Sequence, residues 1–348
     1  MKALVFHGPG QSAWEEVPDP VIQQPTDAIV RVDAVTICGT DLHILKGDVP
    51  EVERGRILGH EAVGTVAAVG TAVSRLAVGD RVLVSCITAC GTCRFCREGH
   101  YGQCLGGGGW ILGHLIDGTQ SDYVRVPYAD NSTYKIPDGV TDDQMVMLAD
   151  ILPTSFEVGV LNGRVQPGDV VAIIGAGPIG LAAILTARLY SPRHIIVIDV
   201  AEPRLEAAMK FGADIIVNGS YQVARTIIDE VTDGLGADVV MEAVGLPATF
   251  EQAVSLVRAG GHVANIGVHG APATLHLEDI WIKNLTITTG LVDTHSTPTL
   301  AALIAGGQLD TSPMITHRFS FDEFEVAYDV FSRAGETGAL KVLLKPAN

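Results

Sequence analysis

Apolar and polar positions along the chain fall into two regimes. In the first 150 residues the apolar positions gather in short β-type runs at 3–7, 28–37, 62–69 and 81–84, bounded by Gly and Asp. Turn signals such as Gly79-Asp80 and Pro137-Asp138-Gly139 separate such runs. The pattern predicts a largely antiparallel β domain with loops long enough to carry a site. After about Asp150, strand-like runs at 170–174, 195–200, 215–217, 239–243, 262–266 and 285–289 alternate with helical stretches such as 179–189 and 204–211. That alternation predicts an α/β unit, a parallel sheet covered on both faces. From about His295 it stops. A stretch at 300–309, a helix over 321–333 and a closing strand over 339–345 are expected to return to the first domain.

Length and composition agree with two folded domains. The chain has 348 residues, 47% of them hydrophobic and 18% charged, enough apolar material for sizeable cores. Its formal charge of −17, from 40 acidic against 23 basic residues, repels nucleic acid and anionic lipid, so neither is expected as a partner. Met1-Lys2 leads through a short apolar run straight into His7-Gly8-Pro9-Gly10, so no signal peptide is expected. The uncharged run 170–187 has the length of a short membrane span, but Gly175, Gly177, Pro178 and Gly180 cut it into strand, turn and helix. The expected location is cytoplasmic.

Six cysteines stand at positions 38, 86, 90, 93, 96 and 104, and such crowding in a reducing compartment points to metal rather than disulfides. In Cys90-Gly-Thr-Cys93-Arg-Phe-Cys96, followed by Cys104, two-residue gaps let successive thiolates turn back on one ion. Four sulfurs complete a closed tetrahedral zinc shell, which stiffens a loop and does no chemistry. An iron–sulfur cluster is the competing reading, although a ferredoxin run places its fourth Cys sooner, with Pro after it. The glycines at 106–109 lack a following Gly-Lys-Ser/Thr and read as a flexible connector.

Two further stretches carry candidate chemistry. The first runs from Cys38-Gly-Thr40-Asp-Leu-His43 to Gly59-His60-Glu61. Zinc accepts Cys38 and His60 as ligands, and Thr40 with His43 could form a proton path beside it. The alternative is a small buried Cys among ordinary loop residues. The second is Gly175-Ala-Gly177-Pro178-Ile179-Gly180, directly after a predicted strand and opening a predicted helix. Its glycines permit a tight turn, backbone approach to a pyrophosphate and close helix–strand packing. The anion then sits at the helix N-terminus. Asp199 follows Gly180 by 19 residues, where an acid binds the adenosine ribose hydroxyls; a capping or solvated Asp is the other reading. A carboxylate there repels the extra phosphate of NADP, and Val200-Ala201 offer no arginine to receive it, so NAD is expected. Arg204 is near enough to cover that ribose, or is a solvated helix residue.

Together these motifs resemble the medium-chain dehydrogenase/reductase family, specifically its zinc-dependent alcohol dehydrogenase branch, along essentially the whole chain. Gly59-His60-Glu61 with Gly64, Gly70 and Val73 follows the branch's zinc signature, and the other motifs stand in the expected order. The resemblance implies a GroES-like β-rich catalytic domain over 1–153, with a structural-zinc lobe at about 86–110. A Rossmann NAD-binding domain follows over 154–294, and 295–348 return to the first. By the same resemblance Cys38 and His60 bind a catalytic zinc, Thr40 and His43 relay the proton, and Glu61 is the acid beside the metal, a transient ligand or an outer group. The third ligand is Asp150, as in bacterial secondary-alcohol dehydrogenases, with Glu157 as its rival and a helix N-cap as the alternative role for Asp150. Thr154, Gly175, Gly177, Pro178, Ile179, Gly180, Asp199 and Arg204 are implied to bind the cofactor, and Trp110 to line the substrate pocket. Two zinc ions per chain, NAD, a small alcohol with its aldehyde or ketone, and a homo-oligomer, commonly a tetramer, complete the expectation. A polyol or amino-alcohol dehydrogenase and a non-catalytic NAD-binding relative are the alternatives.

Overall fold

The β-branched run Ala28–Thr36 is buried along almost its whole length and becomes the strand around which the first unit is built. The computed structural model describes residues 1–219 and 221–347. They gather into two units, one of Met1–Pro153 with the chain from Val292 onward, the other Thr154–Leu291. In the first unit Ala28–Thr36 pairs antiparallel with Ala62–Val69 along one edge, and with Tyr123–Val126 and Lys341–Lys345 along the other. Arg81–Val84 and Thr133–Lys135 extend the sheet beyond Ala62–Val69, while Ile315–Ser320 joins Lys341–Lys345 in parallel. Val30, Val32, Val82, Val84, Val124, Phe324, Val342 and Leu344 share one core cluster, so the closing strand is tied to the first strands by packing as well as by pairing.

Register explains where chemistry collects. Val35 faces Ala62, Ala62 faces Val84, and Thr36 faces Leu343. Continuing each strand by two or three residues brings Cys38, His60, Cys86 and Lys341 to the same end of the sheet. Asp150 arrives from outside the ladder, and the Cys86 N–H donates to Ala149 O at 3.0 Å to hold that segment beside it.

Among the described residues the second unit carries six parallel strands. In order of chain position they lie 3-2-1-4-5-6, the arrangement of a doubly wound dinucleotide-binding sheet. Their inward residues, among them Val170, Ala172, Ile196, Ile198, Val240 and Val263, form a second core. The predicted stretch 170–187 is a strand, Val170–Ile174, and a helix, Pro178–Arg188. Among the described residues no single helix is long and apolar enough to cross a membrane.

The first unit's sheet is largely antiparallel, as expected, with Ile315–Ser320 running parallel to its neighbour. Other expectations need correction. The helix expected over 321–333 divides into a 3-10 turn, Phe321–Glu323, and an α-helix, Phe324–Ser332. Nor are the glycines at 106–109 a loose connector. A Cβ on Gly106 would press on Cys90, and one on Gly108 would collide with the Thr88 carbonyl, so the run wraps closely around the cysteines.

Candidate functional site

Cys38 caps the N-terminus of the helix Gly39–Lys46. Asp41, in the first turn of that helix, reaches back to accept the Cys38 N–H at 2.9 Å, which fixes the loop and places a carboxylate at the positive end of the helix. The Cys38 Sγ, His60 Nε2 and a carboxylate oxygen of Asp150 lie within 4.8 Å of one another. Asp150 Oδ2 is 3.6 Å from the sulfur and 3.4 Å from the imidazole nitrogen. Ligands of a tetrahedral zinc at ordinary bond lengths are about 3.5 Å apart for S and O and about 3.3 Å for N and O, so the three side chains already have the spacing of a zinc tripod. The orphaned atoms fit as well. His60 Nδ1 and Asp41 Oδ1 are both buried without a hydrogen bond, and they face each other at 3.6 Å. An imidazole that gives Nε2 to a metal carries its proton on Nδ1, and a small approach completes that bond.

The electrostatics of these groups call for a cation. Burial pushes the Cys38 thiol up, and the Glu61 carboxylate adds to it. Burial alone would push His60 down, but the Asp150 carboxylate and the Cys38 thiol outweigh it and hold the imidazole well above its usual range. Burial likewise raises Asp41, against the pull of His60 and the Cys38 N–H. Thiolate, imidazole and carboxylate so gathered are the donor set of a zinc site with an open position.

Around this tripod the other predicted residues are distributed unevenly. Thr40 Oγ1 lies 3.6 Å from Cys38 Sγ. His43, three residues on, is exposed, and its Nδ1 lies 2.8 Å from Asp48 Oδ2. Glu61 is fully buried, and its Oε2 accepts from Thr36 Oγ1 and from the Lys341 ammonium. Lys341, itself 1% exposed, also donates to Ile37 O at 3.0 Å. Burial works against its charge; Glu61 first, then Cys38 and Asp150, keep the ammonium above its usual value. Trp110 meets His60 edge to face at 6.3 Å between ring centres, stacks on His114 at 4.2 Å, and packs with Cys86, Ile87 and Val292. Glu157 belongs to the second unit, buried in the π-helix Ser155–Leu161.

Sequence reasoning missed four participants. Asp41 had a local signal, an acid three residues after the capping Cys38. Cys86 had one as the cysteine outside the four-cysteine run; its thiol donates to Asp150 Oδ1 at 3.7 Å. Burial and the adjacent Asp150 hold that thiol well above its usual range. Lys341 and Thr36 had none, because nothing in sequence marks them as partners of Glu61.

The four cysteines of the lobe are free of disulfides and converge, their sulfurs within 4.8 Å of one another. Cys90 and Cys96 are 3.9 Å apart, close to the edge of about 3.8 Å of a tetrahedral zinc–sulfur shell. The N–H of Cys93 points at the Cys90 sulfur at 3.4 Å, and those of Cys96 and Leu105 point at the Cys93 sulfur at 3.5 and 3.4 Å, which favours the thiolate form of Cys90 and Cys93.

In the second unit each glycine of the turn has its own reason. Gly175 has φ +98°, in the left-handed region. A Cβ on Gly177 meets nothing within 4 Å, which leaves the backbone open to a ligand, whereas one on Gly180 would collide with the Gly175 carbonyl. Pro178 and Ile179 open the helix whose N-cap is Gly177. Asp199 ends the neighbouring strand, where its two oxygens accept the N–H of Ala176 at 2.7 Å and of Ala201 at 2.8 Å. The carboxylate therefore braces the turn itself. Arg204 lies in the helix Glu202–Lys210, and Thr154 opens the unit.

Known proteins match this arrangement over its whole length. The family described as the alcohol dehydrogenase GroES-like domain matches residues 24–138, and that described as zinc-binding dehydrogenase matches 178–306. An alcohol dehydrogenase of Cupriavidus necator is 38% identical over 368 aligned positions, covering 99% of each chain. A sorbitol dehydrogenase of Bacillus subtilis is 33% identical, covering 99% of this chain and 97% of its own. Among solved structures, apo zinc-dependent alcohol dehydrogenase 2 from Streptococcus pneumonia superposes with a TM-score of 0.96 at 48% identity, covering 100% and 99% of the two chains. An alcohol dehydrogenase from E. coli CFT073 complexed with NADH has a TM-score of 0.88 at 29% identity, covering 99% of both. A zinc-binding dehydrogenase from Sinorhizobium meliloti 1021 bound to NADP has 0.85 at 30%, also covering 99% of both. With its catalytic-type tripod, its four-cysteine lobe and its dinucleotide sheet, this chain belongs to the zinc-dependent alcohol dehydrogenases of the medium-chain dehydrogenase/reductase family.

Proposed function

We propose that the enzyme interconverts a small primary or secondary alcohol and its aldehyde or ketone with NAD, using one catalytic and one structural zinc per chain. The observation that carries this reading is the spacing of Cys38, His60 and Asp150, with Asp150 Oδ2 at 3.6 and 3.4 Å from the other two. Zinc held by these three supplies a Lewis acid that makes an alcohol proton easier to remove. NAD held at the turn Gly175 to Gly180 supplies the hydride acceptor.

The chain's own side chains do the rest. Thr40, beside Cys38, accepts the alcohol proton as it hands its own hydroxyl proton on toward His43, which lies one helical turn on, open to solvent, and delivers a proton outward. Glu61 acts as an outer group, its charge balanced by Lys341. Trp110 provides an apolar wall for the substrate, supported by its position edge-on to His60. Preference for NAD follows from Asp199, whose negative charge disfavours the extra phosphate of NADP, with Arg204 covering the adenosine ribose and Thr154, Pro178 and Ile179 completing the cofactor site. The first unit is then the catalytic domain and the second the NAD-binding domain, of a cytoplasmic enzyme that assembles as a tetramer.

A polyol substrate is the second reading, favoured by the similarity to the Bacillus subtilis sorbitol dehydrogenase. Both are tested by metal analysis combined with NADH absorbance, using NAD and NADP against primary, secondary and polyhydric alcohols. Two zinc ions per chain and faster turnover with NAD on a monohydric alcohol are expected. Turnover confined to polyhydric alcohols selects the second reading, and no turnover from protein with full metal content overturns both.

A further inference from the structure

Behind the tripod lies a buried chain of hydrogen bonds that the reaction itself does not use. Tyr328, on the helix Phe324–Ser332, donates its hydroxyl to Gln120 Oε1 at 2.8 Å. Gln120 Nε2 donates to Asp41 Oδ2 at 3.1 Å, and Asp41 Oδ1 faces His60 Nδ1 at 3.6 Å. Tyr328 is 7% exposed, His60 3%, and Gln120 and Asp41 0%.

The polarity of this chain is fixed from one end. An ionised Asp41 only accepts, so the amide of Gln120 must turn its NH2 toward it; its Oε1 then faces Tyr328, which must donate. Every proton points toward Asp41. Gln120 is also pinned by its backbone, with its N–H on Leu58 O at 2.9 Å, and its Cγ packs so closely on Gly59, the residue before His60, that a Cβ there would lie 2.5 Å from it. A hydroxyl far along the chain thus bears on the orientation of an imidazole through the side chains of Gln120 and Asp41, the latter also held by the Cys38 N–H at 2.9 Å.

We propose that Tyr328 and Gln120 are positioning residues for His60, holding the Asp41 carboxylate where it fixes the imidazole and so setting how tightly the catalytic metal is retained. The inference rests on the reading of His60 as a metal ligand. Outer partners of metal-bound histidines contribute about 10-fold or more to metal retention, which sets the effect to look for.

The test follows zinc release from the full, zinc-loaded chain into a chromogenic chelator. Wild-type protein releases zinc in two phases, and Cys38→Ala, which keeps only the four-cysteine site, identifies the lobe phase. Tyr328→Phe, which removes one hydroxyl and keeps the ring, speeds the other phase about 10-fold and leaves the lobe phase unchanged. Gln120→Met does the same, and the double variant goes no further than either single one, as expected of members of one chain. With cobalt in place of zinc, the visible absorption of the tripod site shifts in Tyr328→Phe. An unchanged tripod phase, both phases accelerating together, or additive effects of the two substitutions overturns the proposal. Should His60→Ala release zinc as wild type does, the ligand reading falls and the proposal with it; a changed His60→Ala beside an unchanged Tyr328→Phe overturns the proposal alone.

Discussion

Asp150 has two oxygens and two different neighbours. Oδ2 faces Cys38 and His60, while Oδ1 accepts from the Cys86 thiol at 3.7 Å, so the two oxygens meet different sides of the site. Removing a true ligand has a distinct signature. On the proposed two-zinc reading, Cys38→Ala is expected to lower bound zinc by one ion per chain and to abolish turnover, with little change in the thermal transition; near-normal turnover with unchanged zinc would refute the assignment. Glu61 and Lys341 test a different quantity, because both side chains are 1% exposed. Lys341→Met leaves a carboxylate buried without its cation, and breaking such a pair costs about 3–5 kcal/mol. Adding Glu61→Gln should recover most of that loss, measured as the shift in urea midpoint; equal stability of Lys341→Met and wild type would mean that the pair contributes nothing. Cys38 and His60, which the structure brings together with Asp150, stand out in the sequence because each belongs to a short run with recognisable chemistry. Lys341 was not, since it meets Glu61 across 280 residues and no local pattern records such a pairing.

At the scale of elements, the four-cysteine lobe has its own pH signature. In the metal-free lobe the thiol of Cys90 is lowered to about 6, against a burial effect that raises it, by hydrogen bonds from Thr92 and Cys93. Burial and its sulfur neighbours push Cys96 up to about 12. A thiol lowered from 9.0 to about 6 stabilises the folded lobe above pH 9 and loses that contribution as pH falls from 9 to 6. For zinc the consequence is a change of slope. Between pH 6 and 8 Cys90 has no proton for the metal to displace, whereas Cys96 yields one at every pH below its own value. Zinc retention in Cys38→Ala protein, titrated against a chelator from pH 5 to 8, should therefore steepen by about one proton per ion below pH 6; a constant slope would show that Cys90 is not lowered. The lobe's metal character was legible from two-residue gaps, but its glycines were misread. Gly106 and Gly108 look like flexible linker residues in isolation, and only the folded lobe shows that each lacks room for a Cβ. The strand–turn–helix of the dinucleotide unit was easier, because Val170–Ile174 is a wholly apolar run followed directly by the glycine turn. Asp199 shows the limit of such reading: spacing marked it as a ligand-facing acid, and its oxygens also hold the backbone of Ala176 and Ala201.

On the scale of the whole molecule, charge and apolar surface act against each other. The chain carries −17, which discourages casual association. Yet the second unit exposes Leu277 (59%), Trp281 (74%) and Ile282 (70%) just before Thr286–Thr289, which among the described residues pairs on one side only and ends the six-stranded sheet. An open edge strand beside large apolar side chains invites pairing with another chain, and natural proteins either blunt such edges or cover them. Here no Lys, Arg or Pro lies within Thr286–Thr289, so covering is the remaining solution. In the oligomer proposed above, a second copy of the chain would cover the edge, since a twofold axis brings the same edge and the same apolar patch onto themselves. In the sequence an oligomer is only an expectation from resemblance, because exposure of Trp281 is a property of the fold and not of its neighbours in the chain. Trp281→Glu places a carboxylate on each side of that contact and should shift the protein to a smaller species in size exclusion with light scattering. NAD binding per chain should persist, because the turn at Gly175 to Gly180 lies outside the altered surface. Elution unchanged from wild type would show that the patch around Trp281 is not where the copies meet.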